Sequence, residues 1–122
     1  PNIEKAEYVS VSTGETINLP ATLSKTIIDG ILRRDMGYDG VVTTDALNMA
    51  AIASHFTPED AAILAVNAGI DILLMPVNVE CKDDIAKLGD YVDMLISAVE
   101  SGKISENRID ESVKRIIKLI ME

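Results

Sequence analysis

Gly40-Val41-Val42-Thr43-Thr44-Asp45 is a short apolar, β-branched run that ends in an acid, and it is typical of a buried strand. A second apolar run, Ile70-Asp71-Ile72-Leu73-Leu74-Met75, lies further along the chain and is closed by Pro76. A helical pattern lies between the two runs, and further helical patterns flank them. Apolar strands that alternate with amphipathic helices predict parallel pairing with the helices packed outside. The two runs therefore predict an α/β fold.

Helices are predicted on both sides of the first strand. Before it, Ser24 is a candidate N-cap, and Gly37 lies just past the end of the helical pattern. After it, Thr57 is a candidate cap for a helix that has Pro58 at its first position and ends at Gly69. The apolar stripe of the earlier helix consists of Ile27, Ile28, Ile31 and Leu32.

Two further helices are predicted after the second strand, at residues 82–101 and 105–121. Their predicted buried faces are Ile85, Leu88, Val92, Leu95, Ile96 and Val99 in the first, and Ile109, Val113, Ile116, Ile117 and Ile120 in the second. Near the start of the chain, residues 8–11 and 16–19 alternate apolar and polar types around a turn that contains Gly14. Residues 1–20 are thus expected to hold a β-hairpin or an extended loop excursion.

Two parallel strands do not make an independently stable sheet, because both faces need cover and both edges need partners. The order of elements indicates the C-terminal fragment of a larger (β/α)8 TIM-type barrel. We therefore expect residues 1–122 to form a single partial domain that contains the last βα units of such a barrel. The chain begins with Pro1 and not with Met, which favours a piece of a longer protein. Exposed strand edges also predict association with another copy.

The composition of the 122 residues argues against several classes of function. A formal net charge of −9 disfavours binding to nucleic acid through phosphates. No apolar run approaches the ~18 residues that would span a bilayer, so no membrane segment is expected. One cysteine, Cys81, excludes an internal disulfide and a cysteine-based zinc cluster. One histidine, His55, leaves little material for a histidine metal site.

Asp45 directly follows the first predicted strand. In a (β/α)8 barrel the active site is built at the C-terminal ends of the strands. A carboxylate at that place can attack an anomeric carbon and stabilise positive charge on a sugar ring. The alternative is that Asp45 is the N-cap of a short helix or helical turn at residues 46–52. Periodicity alone favours the cap, and the local pattern does not decide between the two.

The stretch Gly37-Tyr38-Asp39-Gly40-Val41-Val42-Thr43-Thr44-Asp45-Ala46-Leu47-Asn48-Met49 resembles glycoside hydrolase family 3. The nucleophile of that family lies in a Gly-aromatic-x-Gly-Val-x-x-(Ser/Thr)-Asp-x-Leu-x-Met pattern. Segments similar to the family flank the motif in the expected order, at residues 20–24, 32–37, 65–76 and 102–117. The form Thr-Asp-Ala-Leu-Asn-Met most resembles the bacterial β-N-acetylhexosaminidase branch, and the β-glucosidase branch is the nearest rival.

The resemblance implies a retaining hydrolase that removes terminal β-linked N-acetylglucosamine from cell-wall or chitin-derived sugars, without a cofactor or metal. It implies that Asp45 forms a covalent glycosyl-enzyme and that Met49 lines the sugar pocket, with a core position as the alternative for Met49. In that branch the acid/base is a histidine on an earlier loop, which has no match in this chain. His55 follows the nucleophile and is expected to be an ordinary surface or helix-end residue. Because proton transfer contributes ~10²–10⁴ in rate, this chain alone is expected to be nearly inactive.

Two other functions are alternatives for this sequence. The chain could be a non-catalytic binding or structural module, which would look the same within these residues. A signalling receiver domain would need an aspartate at the end of a strand, whereas the second strand ends in Leu74-Met75. Asp71 begins that strand and is expected to be structural. Helix-dipole roles are expected for the acidic pair Asp83-Asp84 and the basic pair Arg33-Arg34.

Overall fold

The computed structural model describes residues 7–10 and 12–122. Strands β1 (Glu7–Val9) and β2 (Thr16–Asn18) pair in antiparallel fashion, with Tyr8 opposite Ile17. Gly14 lies in the connecting turn with a φ of +68°, a conformation that glycine adopts without steric cost. The expected hairpin is therefore present, and residues 1–6 and Val11 of that prediction lie outside the described residues.

A 3₁₀ turn, Ala21–Leu23, leads into the predicted helix, which is a π-helix at Thr26–Asp35. The wider turn is visible where the N–H of Met36 donates to the carbonyl of Ile31, five residues back, at 2.9 Å. The hydroxyl of Ser24 accepts a hydrogen bond from the N–H of Ile27 at 3.2 Å, as a capping residue would. Gly37 follows the helix with a φ of +69°, as predicted.

Four α-helices follow: α1 (Ala50–Ala53), α2 (Pro58–Ala68), α3 (Ile85–Glu100) and α4 (Glu106–Met121). The start of α2 is confirmed, because the hydroxyl of Thr57 accepts from the N–H of Asp60 at 3.1 Å. Its end is confirmed as well, because Gly69 adopts a φ of +118°. The hydroxyl of Ser105 caps α4 by accepting from the N–H of Arg108 at 3.2 Å. No helix in the described part of the chain is long and apolar enough to cross a membrane.

The two predicted buried strands are shorter than expected. They meet in one parallel bridge, between Thr43 and Ile72, and β1 and β2 are the only strands elsewhere in residues 7–10 and 12–122. Buried side chains were expected here, but Ile72 is 40% exposed and Leu74 is 44% exposed. A parallel ladder extends when neighbouring strands and helices cover both faces, and these segments pair only with each other within the described residues.

The core lies between the hairpin, the π-helix and α2. It is formed by Leu19, Leu23, Ile28, Phe56, Ala61, Ala65, Ala68 and Ile70. The aromatic rings of Tyr8 and Phe56 lie 4.6 Å apart, and the hydroxyl of Tyr8 donates to the Asp60 carboxylate at 2.9 Å. These contacts join the hairpin to the start of α2.

The predicted buried faces of α3 and α4 are largely exposed. In α3 the buried residues are Tyr91 and Ala98, and in α4 the buried residue is Ser112. We define the exposed apolar stripes as Ile85, Leu88, Val92 and Ile96 in α3 with Val113, Ile117 and Ile120 in α4. Helix α3 packs against α2, but the apolar side chains of both stripes extend beyond the area that their neighbours cover.

Candidate active site

Asp45 lies just past the Thr43–Ile72 bridge, and its side chain is exposed to solvent. Its Oδ1 accepts a hydrogen bond from the N–H of Ala46 at 2.8 Å. Helix α1 begins only at Ala50 and has Met49 in its N-cap position. The alternative that Asp45 caps the following helix is therefore wrong, because a turn of several residues separates the carboxylate from that helix.

The chain on either side of Asp45 is held by Leu74. The N–H of Leu74 donates to the Thr44 hydroxyl at 2.8 Å, and the N–H of Leu47 donates to the Leu74 carbonyl at 3.0 Å. Thr44 is only 4% exposed and Leu47 only 6%, so the exposed carboxylate is flanked by buried anchors. This arrangement fixes the backbone near Asp45 while it leaves the side chain accessible.

Met49 is 47% exposed, so the alternative that it belongs to the core is wrong. Next to it, the side-chain amide of Asn48 donates to the Asn78 side-chain oxygen. Asn48 is half-buried and Asn78 is exposed. Exposed amide and thioether groups near Asp45 suit contact with a sugar, and the assignment of Met49 to substrate binding stays a prediction.

His55 has a structural partner. Its Nδ1 forms a hydrogen bond with the hydroxyl of Ser10 at 2.9 Å, and Ser10 is 1% exposed. The half-buried imidazole follows α1 and joins that part of the chain to the hairpin. This contact gives the residue a role at a helix end, as the sequence indicated.

A buried ion cluster surrounds Asp71, whose side chain is 0% exposed. One carboxylate oxygen lies 2.7 Å from the Arg33 guanidinium and accepts from the N–H of Val42 at 3.0 Å. The other oxygen accepts from Arg115 at 2.9 Å and from the hydroxyl of Ser112 at 2.6 Å. We call this set, with Arg108 at 3.7 Å, the Asp71 cluster: Arg33, Asp71, Arg108, Ser112 and Arg115.

The cluster keeps Asp71 ionised. Burial alone would raise the pKa of its carboxyl group, but the hydrogen bonds from Ser112, Val42 and Arg115 and the nearby charge of Arg33 together lower that pKa below its usual value. The structural role expected for Asp71 agrees with these contacts. The helix-end explanation for Arg33 is incomplete, because its guanidinium pairs with a buried carboxylate.

The same arginines also satisfy backbone carbonyl groups. Arg33 donates to the carbonyls of Gly69 at 2.8 Å and Gly40 at 3.0 Å, and Arg108 donates to those of Val66 and Ile70, each at 2.7 Å. The π-helix and α4 are thereby tied to the chain just before the two segments that meet in the Thr43–Ile72 bridge. Sequence reasoning missed this set, although a charged residue at the start of an apolar strand signals that a buried partner is needed.

Gly40 lies against the ring of Tyr38. A Cβ atom on Gly40 would lie 2.5 Å from the hydroxyl oxygen of Tyr38, which donates to the carbonyl of Val41 at 3.1 Å. The aromatic residue and the glycine of the motif are therefore linked by packing. They shape the turn that leads into the chain segment before Asp45.

Asp84 closes the 3₁₀ turn Lys82–Asp84 that precedes α3. Asp84 accepts from the N–H groups of Glu80 at 3.0 Å and Cys81 at 3.2 Å and pairs with Lys87 at 2.5 Å. The Lys87 contact and these hydrogen bonds hold the pKa of the Asp84 carboxyl group well below its usual range. Within residues 7–10 and 12–122, no group of three His, Cys, Asp or Glu side chains is arranged to hold a metal ion.

Comparisons with known proteins place this chain in a family. The model of the glycosyl hydrolase family 3 N-terminal domain matches residues 5–119. Over 119 residues the chain is 40% identical to beta-hexosaminidase A of Pseudoalteromonas piscicida, which corresponds to 98% of this chain and 20% of that protein.

Comparison with solved structures indicates the same family. A family 3 beta-N-acetylglucosaminidase from Paenibacillus sp. str. FPU-7 superposes with a TM-score of 0.69 and 45% identity, over 83% of this chain and 18% of that one. The beta-N-acetylglucosaminidase of Thermotoga maritima gives a TM-score of 0.71 and 35% identity, over 84% of this chain and 21% of that one. The chain spans about a fifth of the length of these relatives. Because the family match covers nearly all of these residues, the chain belongs to glycoside hydrolase family 3.

Proposed function

We propose that the protein that carries this chain is a retaining glycoside hydrolase that removes terminal β-linked N-acetylglucosamine, with Asp45 as its nucleophile. The observation that carries the proposal is the exposed Asp45 carboxylate, held by buried anchors at the end of a parallel bridge. The relatives named above are a beta-hexosaminidase and two beta-N-acetylglucosaminidases, which favours that sugar.

The carboxylate has an oxygen free for attack. In the part of the chain that the structure describes, Oδ1 of Asp45 accepts from Ala46 and Oδ2 receives no hydrogen bond. In the proposed reaction an Asp45 oxygen bonds to the anomeric carbon while the glycosidic bond breaks and the leaving oxygen gains a proton. Water then cleaves the glycosyl-enzyme, and the sugar leaves with its original configuration.

We further propose that the acid/base lies outside residues 1–122. His55 is the single histidine of the chain, and its Nδ1 is engaged by Ser10. In this proposal the chain provides the last βα units of the catalytic barrel, in line with its small share of the length of its relatives. Residues 1–122 alone are then nearly inactive, because protonation of the leaving group is lost.

The test is hydrolysis of aryl β-N-acetylglucosaminide and aryl β-glucoside by the full-length protein and its Asp45→Ala variant. We expect preference for the first substrate and a loss of about 10⁴-fold or more in kcat on substitution. Asp39→Asn is the matched control, because Asp39 lies in the same motif but its side chain is 89% exposed and faces Lys118 at 3.7 Å. This variant should keep its activity.

Other outcomes have defined meanings. Preference for the glucoside would move the protein to the β-glucosidase branch and leave the role of Asp45 intact. Equal activity of Asp45→Ala and the unsubstituted protein would rule out Asp45 as the nucleophile. Cleavage of neither substrate would favour a non-catalytic module.

We also propose that residues 1–122 associate with a second copy when they are isolated. The exposed apolar stripes of α3 and α4 form the surface that favours association. Between these helices and residues 70–73 lies an apolar cavity of about 410 Å³ that is lined by Leu88, Leu95, Ile109, Val113 and Ile116, among others. Burial of such a surface is favourable in water.

A further inference from the structure

We infer that the Thr44 hydroxyl is a positioning group that holds Asp45 out of the parallel ladder. It does so by taking a backbone hydrogen bond that the ladder would otherwise give to a carbonyl. The inference rests on the proposed function of Asp45 and deepens it, since it assigns a role to the residue before the nucleophile.

The bridge defines what a regular ladder would look like. The N–H of Ile72 donates to the Val42 carbonyl at 3.2 Å, and the N–H of Thr44 donates to the Ile72 carbonyl at 3.0 Å. Hydrogen bonds in a parallel pair repeat at even spacing. The next two bonds would therefore run from the N–H of Leu74 to the Thr44 carbonyl, and from the N–H of Ala46 to the Leu74 carbonyl.

Neither of these two bonds forms. The N–H of Leu74 donates to the side-chain oxygen of Thr44 at 2.8 Å in place of its carbonyl. The Leu74 carbonyl accepts from the N–H of Leu47 at 3.0 Å, one residue later than the ladder requires. The segment between these two anchors thus holds one extra residue, as in a β-bulge, which redirects a side chain.

The two backbone groups that lose their partners in the ladder have side-chain partners instead. The Thr44 carbonyl accepts from the Thr43 hydroxyl at 3.2 Å. The N–H of Ala46 donates to the Asp45 carboxylate at 2.8 Å. Both displaced groups therefore keep a hydrogen bond. The departure from the ladder occurs where the chain passes from buried Thr44 to exposed Asp45.

A regular ladder uses only backbone groups, whereas here the hydroxyl at position 44 takes part. Valine has nearly the same shape as threonine but offers no acceptor to the N–H of Leu74. Without that acceptor, the Leu74 N–H would have to return to the Thr44 carbonyl, and the backbone before Asp45 would shift toward the regular register. Serine keeps the hydroxyl and loses only a methyl group.

The test compares Thr44→Val with Thr44→Ser in the full-length protein. We expect Thr44→Val to lower kcat by about 10²-fold with a smaller change in KM, because a misplaced nucleophile reacts slowly in a bound substrate. Thr44→Ser should restore kcat to nearly the level of the unsubstituted protein. Thr57→Val is the matched control, since it removes a hydroxyl that accepts from the N–H of Asp60 at 3.1 Å far along the chain. It should lower Tm and leave kcat unchanged.

Two results would overturn the inference: a Thr44→Val enzyme with unchanged kcat, or a Thr44→Ser enzyme as slow as Thr44→Val. If Thr44→Val does not fold, Thr44→Cys serves in its place, because the sulfur is only a weak acceptor. A kcat for Thr44→Cys equal to that of Thr44→Ser would then contradict the role of the hydroxyl. An inactive Asp45→Ala enzyme beside a fully active Thr44→Val enzyme would refute this inference alone, whereas an active Asp45→Ala enzyme would refute the proposed function.

Discussion

At the scale of single residues, the charge of Asp71 is the most consequential feature outside the motif. Its carboxylate is 0% exposed and contacts guanidinium groups from the π-helix and from α4. It also accepts from the N–H of Val42, which directly precedes the bridge residue Thr43. One buried charge thus connects three parts of the chain, and without it the buried Arg33 guanidinium would lose its carboxylate partner.

We predict that Asp71→Asn lowers the free energy of unfolding by about 3–5 kcal/mol, because the substitution leaves the buried Arg33 guanidinium without its counter-charge. Urea denaturation at neutral pH measures the change. Asp39→Asn removes an exposed carboxylate of the same size and should change stability by less than about 0.5 kcal/mol. If the two variants are equally stable, the cluster contributes no net stabilisation.

The pH dependence of stability provides a second test of the role of Asp71. The folded-state pKa of Asp71 is lowered, so its stabilisation is fully present above the unfolded-state pKa of a carboxyl group. This stabilisation is lost as the pH falls through the lower, folded-state pKa. The stability difference between the unsubstituted protein and Asp71→Asn should therefore shrink toward acid pH. A difference that stays constant would contradict ionisation as the cause.

The residue scale also shows what the sequence could and could not reveal about the site. The motif identified Asp45 as a candidate because the residues of the motif are adjacent in the sequence. The hydroxyl contact of Thr44 was not predictable, because its partner Leu74 is 30 residues away and its identity depends on the register of the pairing. The Asp71 cluster was missed for the same reason.

At the scale of elements, local chemistry predicted where α2 starts and stops. Thr57 and Gly69 act within a turn of their own position, so their roles could be predicted from the sequence alone. The burial of α3 and α4 was not predictable in this way. Helical periodicity identifies an apolar face, but it does not say which element covers that face.

Two glycines in helical surroundings are predicted to respond in opposite directions to alanine. Gly69 ends α2 at a φ of +118°, and an added Cβ would lie 3.0 Å from the Ile28 side chain. Gly69→Ala should cost at least about 1–2 kcal/mol, from the left-handed conformation alone. Gly89 lies inside α3 with no atom within 4 Å of an added Cβ. Gly89→Ala should therefore stabilise by about 0.5–1 kcal/mol.

Thermal unfolding of the two variants under the same conditions measures the direction of each stability change. A stabilised Gly69→Ala protein would show that the αL end of α2 and its contact with the π-helix do not persist in solution. A destabilised Gly89→Ala protein would place a neighbour against that face of α3.

At the scale of the whole molecule, the exposed apolar stripes are at odds with a helix-covered α/β domain. Ile96 is 50% exposed and Ile117 is 54% exposed, although both lie on faces that periodicity assigns to the interior. Within the described residues, nothing covers these faces as a barrel neighbour would. Association of the isolated chain would bury them.

We predict that isolated residues 1–122 form oligomers whose population rises with concentration, as measured by sedimentation velocity. The physical reason is the removal of apolar side chains of α3 and α4 from water. The double variant Ile96→Lys/Ile117→Lys should shift the distribution toward monomer, because a lysine charge is costly to bury in an apolar contact. Ala51→Lys adds a charge at an exposed position of α1 and should leave association unchanged. A compact monomer at every concentration would show that the exposed stripes do not drive association.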